Sequence, residues 1–192
     1  MSINNKISET AIAIASLRAL SYYETESALQ SQDCFAEIFL PQDKQIALKD
    51  RKSRELIKQQ IPKGLYEYVI ARTKYFDSVS SDAIINNIEQ IVILGSGFDS
   101  RAYRFQKYIT NTKIFELDSK PTQEHKLSCL RRNNIEIHHN ISFIPVDFET
   151  DDIINALCSY GYEKEKQTLF LWEGVTFYLT KRYGEENASF IK

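Results

Sequence analysis

The chain has little of what marks an extracellular, metal-binding or membrane-spanning protein. Its cysteines number three, at positions 34, 129 and 158, with no Cys-x-x-Cys pair. An odd, widely spaced set argues against a disulfide framework and against a structural zinc site. The three histidines, His125, His138 and His139, stand at no ligand spacing to a cysteine, so no metal site is predicted. Glycine and proline are sparse, at six and four, and no stretch rich in them suggests a linker. Charge of one sign is lacking too. Twenty-four basic against twenty-six acidic residues leave a net charge of -2. That offers no broad field for nucleic acid or an anionic membrane, and neither partner is predicted. The basic cluster "KDRKSR" at 49–54 reads as a solvated loop or helix face. The apolar N-terminal stretch "AIAIASLRAL" is broken by Arg18 and far too short to span a bilayer. These absences leave a cytoplasmic, soluble globular domain as the expectation.

The periodicity changes once along the chain. Thr10–Tyr23, Asp33–Leu40 and Tyr66–Asn87 place apolar residues every three or four positions, so the first 88 residues read as a helical N-terminal extension. From residue 89 onward, short apolar or β-branched runs at Ile91–Leu94, Lys113–Leu117, Ser142–Val146 and Thr168–Trp172 read as strands. Between them Ser100–Lys107, Thr122–Arg132 and Ile153–Tyr160 read as helices. Alternating strands and helices predict an α/β domain, a Rossmann-like parallel sheet covered on both faces.

In such sheets a ligand sits beyond the carboxyl ends of the strands. The first strand runs into "GSGFDSR", where Gly95 and Gly97 suit a turn that needs positive φ or close approach of a ligand. A phosphate-binding loop would carry a lysine and a Ser or Thr at the helix start; Phe98, Asp99 and Ser100 stand there instead. Two negative charges about 4 Å apart repel by about 1 to 4 kcal/mol between bulk water and a surface-like dielectric. Asp99 therefore disfavours a pyrophosphate and suits a cationic guest, or else it complements the helix dipole. S-adenosylmethionine, with its ammonium, sulfonium, ribose diol and adenine, answers the first description. The second strand ends in "IFELD", and Glu116 and Asp118 stand where an acid accepts ribose hydroxyls. The third ends in "PVDF", where Asp147 can accept from an adenine amino group and Phe148 can cover the ring. Each of these acids alone reads equally as a solvated strand end; the series of three strand tips is what points to a nucleoside.

With these residues in place, the chain resembles the leucine carboxyl methyltransferase family of S-adenosylmethionine-dependent enzymes. The matching stretches are "SETAIAIASLRAL", "ARTKYFDS", "VILGSGFDSRAYRF", "IFELDSK", "PVDFET" and "LFLWEGVTFYLT", in the family's order over 8–180. The resemblance implies that Arg72 meets the methionine carboxylate, with Arg18 a second basic residue on that side. It places Gly95 under the methionine portion, Asp118 at the ribose with Glu116 adjacent, and Asp147 and Phe148 at the adenine. Glu173 would face the transfer cleft. Many methyltransferases carry an acid on the first strand, two residues before the first glycine; here that residue is Ile93, and the resemblance implies that Asp99 takes over the acid's place. Arg101 and Arg104 read either as solvent-facing or as partners of Asp99.

Methyl transfer from a sulfonium is an in-line displacement, so alignment is the main task. A carboxylate acceptor, whose reference pKa is about 3.5, is already ionised and needs no base. For a hydroxyl acceptor, Glu173 and Tyr178 are the catalytic candidates. The acceptor is expected to be a small molecule or a carboxylate-bearing terminus. Two other readings stand beside this one. An NAD(P)-linked oxidoreductase would need a third glycine where Ser100 stands, and an interaction protein would keep the fold without activity. The family's fold has three more strands beyond the fourth, so a fragment, a decayed gene product or a chain completed by another copy is expected, with weak cofactor binding and little turnover.

Overall fold

The computed structural model describes residues 6–174; Tyr178 and the charged stretch 181–192, read above as a helix start, lie outside the described residues. Five segments precede the sheet. Helix α1 (Glu9–Tyr22) starts at Ser8, whose hydroxyl accepts from the Ala11 N–H at 3.1 Å. A single 3₁₀ turn, Ala36–Phe39, occupies the piece expected over 33–40. Then come α2 (Gln42–Lys49) and α3 (Arg51–Gln60), the latter capped by Asp50 and burying no residue. The basic cluster at 49–54 is thus a solvated helix start, one of the two alternatives its composition left open. The long α4 (Leu65–Ile85) begins after Gly64, which takes φ 82°.

Four strands follow: β1 (Gln90–Leu94), β2 (Lys113–Asp118), β3 (Ile141–Pro145) and β4 (Thr168–Trp172). All are parallel, in the order β3-β2-β1-β4. The expected α/β class and parallel sheet are therefore as found. Parallel pairing needs long crossovers, and α5 (Arg101–Arg104), α6 (Lys120–Arg132) and α7 (Ile153–Ser159) supply them. The helix expected over 100–107 is shorter than its pattern suggested: one α turn, then a 3₁₀ turn at Gln106–Tyr108.

Alternate strand residues face opposite layers. Ile91, Ile93, Ile114 and Leu171 pack with α1, α4 and α6 through Ala15, Ala19, Val69, Ile70 and Leu130. Val92, Leu94, Phe115, Leu117 and Ile144 pack against α7 through Ile153 and Leu157, with Tyr162 closing the layer. The helices before the sheet thus share one core with its strands, and α1 and α4 are held against the strand tips.

Candidate functional site

The glycine turn is fastened to the second strand by two bonds. The Ser96 N–H donates to the Leu117 carbonyl at 2.8 Å, and the Gly97 N–H donates to Oδ2 of Asp118 at 2.7 Å. Gly95 and Gly97 take φ 63° and 45°, as a turn of this kind requires. Gly97 has a second constraint. A Cβ there would lie 3.2 Å from the Cβ of Ala11, so the close approach comes from the chain's own helix α1. Gly97→Ala is expected to cost about 1 to 3 kcal/mol, from the left-handed backbone and the crowding together. A thermal melt reads this as a fall of several degrees.

Asp118, at the tip of β2, also accepts from the Ser119 N–H at 2.7 Å through Oδ1. Burial pushes its carboxyl pKa up, opposed by the Gly97 and Ser119 N–H groups. Oδ2 accepts the one main-chain N–H and keeps a lone pair for a further donor, while Oδ1 also accepts from the Ser119 hydroxyl at 3.2 Å. At the tip of β3, Asp147 and Asp151 line a cleft of about 200 Å³ with Ser119, Pro121 and Val146. Phe148 packs beside it on the α7 side of the sheet.

Glu116 does not join this group. It is fully buried, ion-paired to Lys126 at 2.5 Å, and accepts from the Tyr103 hydroxyl at 3.1 Å on both oxygens. The expectation that it stands beside Asp118 at a ribose is corrected accordingly. Its side chain lies under α6, where Lys126 answers its charge. Burial pushes its pKa above the ordinary value, with Lys126 opposing.

The fourth strand tip carries the charged part of the site. Oε1 of Glu173 accepts from Nε of Arg72 on α4 at 2.8 Å, and Oε2 from Nη1 of Arg101 at 3.0 Å. Arg101 also donates to Asp77 at 2.8 Å and to Asp99 at 2.6 Å. Arg104 grips Asp77 with two nitrogens, at 2.8 and 2.7 Å. Its Nε lies 3.6 Å from Asp33, which Arg18 meets at 3.0 Å. Four carboxylates (33, 77, 99, 173) and four guanidiniums (18, 72, 101, 104) thus neutralise one another across α1, α4, α5 and β4.

Two expectations change with this network. Asp99 does not await a cationic guest: Arg101 holds its Oδ2, and its own loop accounts for the other oxygen through the Arg101 N–H. Burial pushes the Asp99 pKa up, but Arg101, with Lys126 and Arg18 behind it, holds it down at about 2. Arg18 is likewise committed, to Asp33 and to the Phe98 carbonyl at 2.7 Å. Neither Arg101 nor Arg104 faces solvent. Arg72 and Glu173 differ in that both partners keep some surface, 18% and 16% of their side chains, whereas the equally exposed Asp77 is paired with the buried Arg101 and Arg104. Sequence reasoning assigned no role to Asp33, nor to Asp77 although it lies within "ARTKYFDS", because an aspartate on a helix or loop carries no motif of its own.

A parallel sheet with crossover helices and a left-handed glycine turn at the tip of β1 defines a Rossmann-like core. The chain belongs to the leucine carboxyl methyltransferase family, whose model matches residues 11–191. It is similar to the "Putative S-adenosyl-L-methionine-dependent methyltransferase YktD" of Bacillus subtilis, 34% identical over 122 residues, covering 64% of this chain and 39% of that protein. A Mycobacteroides abscessus protein, also named "Putative S-adenosyl-L-methionine-dependent methyltransferase", is 32% identical over 187 residues, covering 92% and 59%. One from Streptomyces coelicolor with the same description is 32% identical over 129 residues, covering 63% and 45%. The chain thus spans roughly two fifths to three fifths of the length of these relatives.

Proposed function

We propose that this chain binds S-adenosylmethionine and forms the cofactor-holding part of an O-methyltransferase acting on a carboxylate or hydroxyl. In this reading the residues up to 88 cap the cofactor site and those from 89 onward form its core, and the setting is cytoplasmic. The observation that carries it is the partly exposed Arg72–Glu173 pair at the tip of β4, with Asp118 at the tip of β2. A zwitterionic tail can exchange that one internal pair for two of its own, carboxylate on Arg72 and ammonium on Glu173. A ribose diol can give one proton to the open lone pair of Asp118 Oδ2 and the other to Oδ1 in place of the Ser119 hydroxyl, which can turn to Thr122. Ser96 fits as well: its hydroxyl is buried in the glycine turn and has no hydrogen-bond partner among the described residues. The cleft by Asp147 and Phe148 suits a flat base.

The bound cofactor supplies an electrophilic methyl on a sulfonium. Everything else falls to the chain's own groups. Arg72 and Glu173 anchor the tail, and Asp118 anchors the sugar, so the position between them is fixed from both sides. With the ligand ammonium on Oε1 and Arg101 on Oε2, Glu173 serves as a counter-ion, so help for a hydroxyl acceptor falls to Tyr178. A carboxylate acceptor needs none. A dinucleotide fits poorly, because the turn opens onto a single helical turn and carries Ser100 where a third glycine would stand.

Isothermal titration of the 192-residue chain with S-adenosylmethionine, S-adenosylhomocysteine and NAD tests the reading. Binding of the two adenosyl ligands and not of NAD is the expected result. NAD binding alone, or no binding of any of the three up to millimolar concentration, overturns it.

A further inference from the structure

Exchange of the Arg72–Glu173 pair raises a question of geometry. Once Arg72 turns to a ligand carboxylate, Glu173 loses the partner on Oε1 and must still face an ammonium. A carboxylate on a loop after a strand end, freed of one partner, would swing or relax toward any neighbouring cation. Arg101 prevents this. It is 3% exposed and spends its donors on four acceptors: Asp77, Asp99, Glu173 and the Thr73 carbonyl at 3.3 Å. Its guanidinium also lies over the Phe76 ring, 5.6 Å from the centroid. Two of its partners, Asp77 and Thr73, are on α4, the helix that carries Arg72. A fork held at this many points is pre-organised, and its Nη1 reaches Glu173 at the accessible edge of the network.

We propose that Arg101, which itself meets no ligand, is the positioning residue that holds Oε2 of Glu173 while Arg72 changes partner, and so sets recognition of the amino-acid tail. This rests on the S-adenosylmethionine reading above. Asp99 acts one step further back: it fixes Arg101 from the glycine turn, so the turn under the nucleoside and the counter-ion at β4 are joined through one guanidinium. The adenosine half of the ligand, held by Asp118 and the β3 cleft, does not depend on this arrangement.

The test uses two nucleosides that differ only in the tail. S-adenosylhomocysteine carries the amino acid, and 5′-methylthioadenosine lacks it. Titration of both is done with the wild-type chain, Arg101→Lys and Asp99→Asn, the lysine variant keeping the charge and losing the fork. Arg101→Lys is expected to weaken S-adenosylhomocysteine about tenfold or more, the worth of a hydrogen bond between charged groups. Its affinity for 5′-methylthioadenosine should stay within about twofold of wild type. Asp99→Asn is expected to follow the same pattern with a smaller loss. Where one variant fails to fold by circular dichroism, the other carries the comparison. Equal losses for both nucleosides, or no loss for either, overturn the positioning role while leaving the site intact. Absence of binding of both nucleosides to the wild-type chain overturns the cofactor reading itself, and this proposal with it.

Discussion

Lys126→Met is expected to destabilise the chain by about 3 to 5 kcal/mol at neutral pH, because it strands a buried carboxylate. For a chain of this size the melting temperature falls by about 10 °C or more. Lys126 and Glu116 both have no exposed side-chain surface, and their 2.5 Å contact joins α6 to β2 beneath the glycine turn. With Lys126 gone, Glu116 keeps, among the described residues, the Tyr103 hydroxyl as its one side-chain donor. The loss depends on pH, with a definite sign. Burial already sets the folded pKa of Glu116 above its ordinary 4.5, and removing the ammonium raises it further. A carboxyl whose pKa is higher in the folded state favours folding most below 4.5, and the benefit is lost as pH rises through the folded value. Urea unfolding should therefore find Lys126→Met far closer to wild type at pH 5 than at pH 7. The double variant Glu116→Leu with Lys126→Met should recover most of the loss at pH 7, since matched apolar residues commonly replace a buried pair at little cost. A single variant with the same deficit at both pH values would show that the carboxylate finds another partner.

Asp118→Asn is expected to weaken S-adenosylhomocysteine and 5′-methylthioadenosine alike, by about a hundredfold, the worth of two hydrogen bonds to a charged acceptor. The equal effect separates it from Arg101→Lys, which reaches only the tail. The substitution is nearly isosteric, but an amide has one acceptor oxygen where the carboxylate has two. Asp118 uses both, toward Gly97 and Ser119. One of those N–H groups would then face an amide NH₂, at a cost of about 1 to 3 kcal/mol in stability. Calorimetry reads the first effect and a thermal melt the second. Unchanged affinity for both nucleosides would remove the ribose from the tip of β2.

Much of this was legible from the residue order because it is local. A short β-branched run buried on both faces is a strand wherever it falls, and Gly-Ser-Gly after it must turn, so the four strands and the left-handed glycines could be read directly. The boundaries shifted by one or two residues, and α5 shrank to a single turn, because helix ends depend on caps and packing that periodicity does not record. The pairing of charges was decided by tertiary structure alone. Glu116 and Asp118 stand two apart on one strand and face the same side, so spacing offers the same role to both. Only the depth at which Lys126 of α6 crosses the strand takes Glu116 into the core and leaves Asp118 at the tip. Asp99 likewise looked available to a cation until Arg101 folded back on it. Arg72 and Glu173 lie 101 residues apart, and Arg101 and Glu173 lie 72 apart. Charge acts through space and is indifferent to sequence separation, so no local pattern could have told which of these side chains would neutralise one another and which would stay within reach of a ligand.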